Sequence, residues 1–357
     1  MSLRSLWVVL LLLAGCDTGE APRTLADVPP ERRVAFVAVY DQILNEGPGG
    51  GPPAHRIVVA DIEDPTVFEI ISRPDHKSVS PHLSPDRQQV LFGDESIGPV
   101  SGVQYVRYNL RTGQADTLGH VPPGASPSRP ILVGLGAPVV WERDGSGFYF
   151  TNPTPSFSIT QDVLRFRFAD GYFERVHDSG AYATVAIGLK SDSLVVFSIS
   201  PEAPGWTPER PAGVFLMDRD GRFARRVQNA NLSFWSQDGR LVHGYTEPTA
   251  NEERGLVAAT WSESHSEAPS GYVVSLAILD LDGEVVRTYD LDRAYLNWHP
   301  RWGPDGTILF ERQPRGAADW RTHRAMVLDL STGSIRELAD PATYGAVGTR
   351  MPNAGDH

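Results

Sequence analysis

Two tight-turn signals recur five times along this 357-residue chain at a nearly constant separation. The first closes a short apolar run: Pro85-Asp86-Arg87, Asp144-Gly145, Asp192-Ser193, Asp238-Gly239 and Asp305-Gly306. The second follows a Val/Leu/Phe-rich run: Thr112-Gly113, Asp170-Gly171, Asp220-Gly221, Asp282-Gly283 and Thr332-Gly333. From the Asp of each first turn to the Gly of the second, the chain advances 27, 27, 29, 45 and 28 residues. Asp-Gly pairs suit two-residue hairpins, because both central residues of a type I′ turn need φ > 0. Short strands repeating at roughly 40–50 residues predict the blades of a β-propeller.

The first complete unit gives the blade template. Pro81–Ser84 is the innermost strand, Gln89–Phe92 the second, Val106–Leu110 the third and Gln114–Leu118 the fourth. The third-strand runs Ala277–Leu281 and Ala325–Leu330 alternate as strands half-buried between sheets do. A sixth outer hairpin lies upstream, Arg56–Asp61 and Thr66–Ile71, turning at Asp64-Pro65. Arg33–Tyr40 precedes it as a second strand, and no first strand comes before that. A ring avoids an open sheet edge when both termini share a blade, so residues around Thr343–Thr349 are expected to supply the missing strand. The prediction is an all-β fold: a six-bladed propeller of four-stranded antiparallel blades over residues 32–350, with 351–357 as a C-terminal tail.

Some units carry a more specific pattern. Ser80-Pro81-His82-Leu83-Ser84-Pro85-Asp86 with Val90-Leu91-Phe92, and Trp298-His299-Pro300-Arg301-Trp302-Gly303-Pro304-Asp305-Gly306 with Ile308-Leu309-Phe310, resemble the PD40 repeat of TolB-like propellers. Phe234–Gly239 is a weaker copy lacking the proline, and Val140–Gly145 keeps the tryptophan and the turn. The resemblance spans about residues 33–340. It implies that these residues make inner-strand turns and pack between blades, and that partners are envelope proteins or peptides in the central channel. No counterpart of the separate N-terminal domain of TolB is expected, because few residues lie between Cys16 and the first blade strand.

The N-terminus reads as an export signal. Arg4 is followed by the apolar run Leu6–Ala14, too short for the ~20 residues a spanning helix needs. Leu13-Ala14-Gly15-Cys16 resembles the bacterial lipobox, which implies cleavage after residue 15 and lipidation of Cys16, the only cysteine. Residues 16–31 are then a flexible tether, and the protein is expected in the bacterial cell envelope, anchored to a membrane by its lipid and facing the periplasm or the exterior.

A formal charge of −12 and the lack of any basic run argue against nucleic acid as a ligand. No Gly-x-Ser-x-Gly elbow, HExxH, phosphate-binding glycine loop or EF-hand ladder occurs. No cofactor or metal is expected, since His82 and His299 sit two residues apart in their repeats. The long connections emerge on one side of the ring, and recognition on rigid scaffolds favours such loops. The longest, Glu247–Ser270, accounts for the interval of 45, and its deletion is expected to leave the fold intact. Trp206, Trp261 and Trp320, with His82 and His299 at inner strands, are the candidate binding residues. The sequence reading is a monomeric binding or scaffold module for a protein, peptide or glycan. Its rival is a carbohydrate lyase or hydrolase with a site in the channel.

Overall fold

The computed structural model describes residues 23–43, 53–74, 77–94, 104–118, 139–153, 161–177, 183–190, 193–199, 213–217, 223–226, 233–235, 241–251, 253–264, 272–280, 284–292, 294–317 and 320–351. The first strands are β1 (Arg33–Ile43), β2 (Pro53–Asp61) and β3 (Phe68–Ile70). A second meander comprises β4 (Ser78–Leu83), β5 (Gln89–Asp94), β6 (Gln104–Asn109) and β7 (Gln114–Leu118). Next come β8 (Val140–Trp141), β9 (Gly147–Pro153), β10 (Gln161–Arg167) and β11 (Phe173–His177), then β12 (Ala183–Lys190), β13 (Ser193–Ile199), β14 (Gly213–Met217) and β15 (Phe223–Arg226). They are followed by β16 (Ser233–Trp235), β17 (Leu241–Asn251), β18 (Leu256–Ser264), β19 (Tyr272–Asp280) and β20 (Val285–Tyr289). The last are β21 (Tyr295–Trp302), β22 (Thr307–Pro314), β23 (Arg324–Asp329), β24 (Ile335–Glu337) and β25 (Gly348–Arg350).

These strands form a propeller of five blades, one fewer than the sequence predicts. The difference lies in one contact. A parallel pairing of Gln161 on β10 with Ala183 on β12 joins the antiparallel meanders β8–β11 and β12–β15 into one eight-stranded sheet. The β4–β7 and β21–β24 blades have the expected four antiparallel strands. In the remaining four-stranded sheet, β25 pairs with β1 through Val37↔Arg350, Ala38↔Thr349 and Val39↔Gly348. The C-terminus thus supplies the innermost strand of the N-terminal blade. It does so later than expected, because Pro341–Tyr344 forms a 3-10 turn that ends at left-handed Gly345.

Both faces of β1 are buried from Val34 to Val39, and the sequence alternation allocates them. Val34, Phe36 and Ala38 of β1 enter one apolar cluster with Leu309, Ala325 and Val327 of the last blade. Ala35, Val37 and Val39 enter another with Val90, Phe92 and Val106 of the next blade. Strands sandwiched in this way read as continuous apolar runs, as Val34–Val39 does.

The interval of 45 has a different origin from a loop. Residues 247–264 lie mostly in β17 and β18, which pair from His243↔Glu263 to Asn251↔Leu256. Val257, Ala258, Ala259 and Thr260 of β18 are buried. The turn at 251–255, between β17 and β18, occupies the place of an inner-strand turn. Its Arg254 guanidinium lies against Gly306 of the neighbouring inner-strand turn. Counted from Glu253, the distance to Gly283 is 30 residues, close to the other intervals. The β16 strand is an addition on the β17 edge, which gives this sheet five strands. Asp238-Gly239 itself lies outside the described residues.

The segment expected as tether is docked from Arg23 onward. Leu25 and Val28 are buried in the cluster between the first two blades. Arg32 Nε donates to Asp61 Oδ1 at 2.9 Å, and the Arg33 guanidinium donates to the Val28 carbonyl at 2.9 Å.

Candidate functional site

The inner strands surround a cavity of about 1000 Å³. Its wall is built from equivalent positions of the repeat. In β4 a bulge falls between Val79 and His82, and in β21 between Trp298 and Arg301. Ser80 and His299, inside the bulges, have φ of 52° and 53° and precede Pro81 and Pro300. His82 therefore matches Arg301, and Ser80 matches His299. The sequence offset between the two histidines is real: His82 lines the cavity, while His299 is buried inside the bulge.

One step further along, Trp141 and Trp302 also line the cavity, each fastened to another inner strand. Trp141 Nε1 donates to the His82 carbonyl at 3.3 Å, and Trp302 Nε1 to the Thr249 carbonyl at 2.9 Å. The Val139 N–H donates to His82 Nε2 at 3.4 Å, which assigns the neutral tautomer protonated on Nδ1. Burial, then the Arg301 guanidinium, holds the His82 imidazole far below its ordinary pKa, at about 3. An imidazole whose Nε2 lone pair accepts a backbone N–H and which lies near a guanidinium is a poor cation ligand and a weak base near neutral pH.

At the end where the inner strands turn, the wall becomes charged. Arg143 and Arg254 are exposed, and Arg87 and Arg301 are half-buried, around an opening that also carries exposed Glu31, Glu253 and Asp305. Arg87 Nη1 donates to the Arg33 carbonyl at 2.6 Å. Burial lowers the Arg87 pKa, against the charges of Asp305 and Glu31. Arg87 and Arg143 adjoin turn signals and read as turn chemistry, while Arg301 falls within a strand run and Arg254 within the segment expected as a loop. The signal available was an arginine at or near the inner-strand turn in four separate units.

The other sequence candidates are dispersed. Trp261 sits on β18 opposite Ser275 and Tyr245, outside the cavity lining. Trp320 begins a short 3-10 turn, Trp320–Thr322, before β23. Cys16 and Trp206 lie outside the described residues, as do most of the long connections. Among the described residues, no group of three or more His, Cys, Asp or Glu is arranged to hold a metal ion. No described helix is long and apolar enough to cross a membrane.

With fold and cavity in place, solved structures give the class: a TolB-like β-propeller. TolB from Acinetobacter baumannii superposes with a TM-score of 0.58 at 13% identity, over 89% of this chain and 65% of that one. The chain thus spans under two thirds of that protein. A protein assigned as TolB from Agrobacterium tumefaciens gives 0.53 at 13% identity, over 86% and 89% of the two chains. The propeller domain of the Trilobed protease from Pyrococcus furiosus gives 0.54 at 11% identity, over 87% and 93%. At these identities the likeness is one of fold. No family model and no curated protein sequence matches the chain.

Proposed function

We propose that this protein is a lipid-anchored envelope propeller that binds an acidic peptide segment at the turn-side end of its cavity. The observation that carries the reading is the gathering of Arg87, Arg143, Arg254 and Arg301 around one opening in a chain of formal charge −12. Guanidinium groups match carboxylates in a planar, bidentate way, and a cavity of this volume suits several residues of extended chain. Glu31, Glu253 and Asp305 at the same rim set the orientation of a bound segment. In this reading the two halves of the eight-stranded sheet serve as adjacent blades, and the lipid on Cys16 holds the assembly at the membrane.

The rival reading, an enzyme, needs an acid/base pair facing the cavity. The described carboxylates at the cavity are exposed rim groups, and its imidazole is held neutral. The buried Glu311–His323 pair lies outside the lining. Titration calorimetry with a hexa-glutamate peptide, its hexa-glutamine counterpart and an uncharged oligosaccharide tests the reading. Binding of the acidic peptide alone, weakened at least tenfold in Arg254→Ala/Arg301→Ala, is expected. Equal binding of the neutral peptide, tighter binding of the sugar, or no change in the double variant would overturn it.

A further inference from the structure

We infer that the turn side of the propeller, with the arginine-lined mouth of its cavity, is held facing the bilayer. The inference rests on the reading of Cys16 as the lipidated residue.

The geometry begins at Arg23. Its guanidinium lies 3.5 Å from Asp61 and 3.9 Å from Asp64. Both acids border the β2–β3 turn, where the Val67 N–H donates to the Asp64 carbonyl. Antiparallel connectivity puts this outer turn on the same side of the ring as the inner-strand turns at Asp86 and Asp305. From Arg23 the chain crosses that side inward. Leu25 and Val28 are buried between the first two blades, and Glu31 reaches the cavity rim. The Ile62 N–H donates to the Arg32 carbonyl, and Arg32 pairs with Asp61. The folded body therefore receives its anchor on the turn side.

The length of the remaining chain decides the orientation. Seven residue steps separate Cys16 from Arg23. A fully extended chain gains at most ~3.3–3.6 Å per residue, so the link reaches about 25 Å. The eight residues of β22 alone rise about 26 Å at ~3.3 Å each, and the connections beyond β22 add to that height. A link fixed on the turn side cannot round the sheet and leave the opposite side against the lipid. The consequence for binding is specific. A segment entering the cavity mouth must come from the narrow gap above the membrane.

The test uses the lipidated full chain in vesicles of phosphatidylethanolamine and phosphatidylglycerol containing a headgroup-spin-labelled lipid. Cys16 is the only native cysteine, so acylation leaves an engineered thiol as the sole labelling site. Arg111→Cys places a fluorophore on the exposed β6–β7 turn, on the turn side, and Arg73→Cys places it on the exposed β3–β4 connection opposite. Quenching at residue 111 is expected to exceed that at 73 several-fold. Inserting twenty Gly/Ser residues after Glu20 is expected to abolish the difference. Equal quenching, or stronger quenching at 73, in protein whose N-terminal peptide carries the diacylglyceryl mass overturns the orientation alone. Absence of that mass overturns the anchoring reading, and the orientation with it.

Discussion

The indole of Trp302 on β21 donates to the carbonyl oxygen of Thr249 on β17, 53 residues earlier, at 2.9 Å, and ties the inner strands of two different blades together. Trp141 and the His82 carbonyl repeat the relationship elsewhere in the ring at 3.3 Å. Much of the contact between blades is apolar and non-directional, and a few directional bonds, such as Tyr289 Oη to the Leu330 carbonyl and Arg87 to the Arg33 carbonyl, cross it as well. The indole bond adds direction at the narrow end, where the cavity leaves little apolar surface to share.

Trp302→Phe keeps most of the ring surface and removes the donor. A net loss of about 1–2 kcal/mol is expected, since the Thr249 carbonyl loses its partner in a half-buried site. Urea denaturation measures it, and an unchanged midpoint would show that the indole bond adds nothing beyond packing.

Deleting residues 247–270 is expected to abolish the cooperative unfolding transition. The deletion removes β18 with its buried Val257, Ala258 and Ala259, together with the end of β17 that bonds Trp302. Circular dichroism during heating reports it. A deleted protein that melts cooperatively near the parent temperature would contradict the place of this hairpin in the sheet.

Asp61 is fully buried beneath Arg32, Arg23 and the Glu63 N–H. Burial alone would raise its pKa, but the Arg32 hydrogen bond, the Glu63 N–H and the guanidinium charges outweigh that, so the net shift is downward. Such a carboxylate stabilises the fold above its unfolded pKa, and the stabilisation is lost as pH falls through the lower folded value. Arg32→Ala is expected to destabilise the fold at pH 7, because the Asp61 carboxylate loses its main partner. The difference from the parent should shrink below about pH 4. Limited proteolysis near Val28 should also accelerate, and an undisturbed cleavage rate would show that Arg32 does not hold the docked segment.

His82 has the same sign of pH dependence, at a higher pH. Its folded pKa lies below the unfolded value near 6.5, so the unfolded chain binds the proton first. Stability is then expected to decline as pH drops below about 6.5, by at most ~1.4 kcal/mol per pH unit for one proton. His82→Gln should flatten the profile between pH 6.5 and 5 relative to the parent, and parallel profiles would exclude His82 as the source.

Tyr105 is almost fully buried, edge-on to Phe148 and Phe150, and its hydroxyl finds no partner among the described residues. Burial raises its pKa. Tyr105→Phe removes an unsatisfied polar group at constant shape, so stability should stay level or rise by about 1 kcal/mol. A clear loss in calorimetry would reveal a hydrogen bond to the hydroxyl.

The sequence by itself determined what depends on neighbours along the chain. Gly113, Gly171 and Gly333 occupy positive φ at the predicted outer turns, and Gly145 and Gly306 at inner ones. The alternation of Val34–Val39 assigned two buried faces, and the histidine offset was readable from the Pro81 and Pro300 positions. A terminal strand was required to complete the first blade, and β25 supplies it. Tertiary structure decided what depends on pairing across distance. The Gln161–Ala183 contact sets the blade count, and no local pattern encodes a single parallel pair. Asp238-Gly239 and the turn at 251–255 compete for one role, and both have suitable turn chemistry. The second fills it through Thr249 and Arg254, which meet Trp302 and Gly306 only when two blades are brought side by side. The arginine-lined mouth arises in the same way, from side chains up to 214 residues apart whose turns converge as the ring closes.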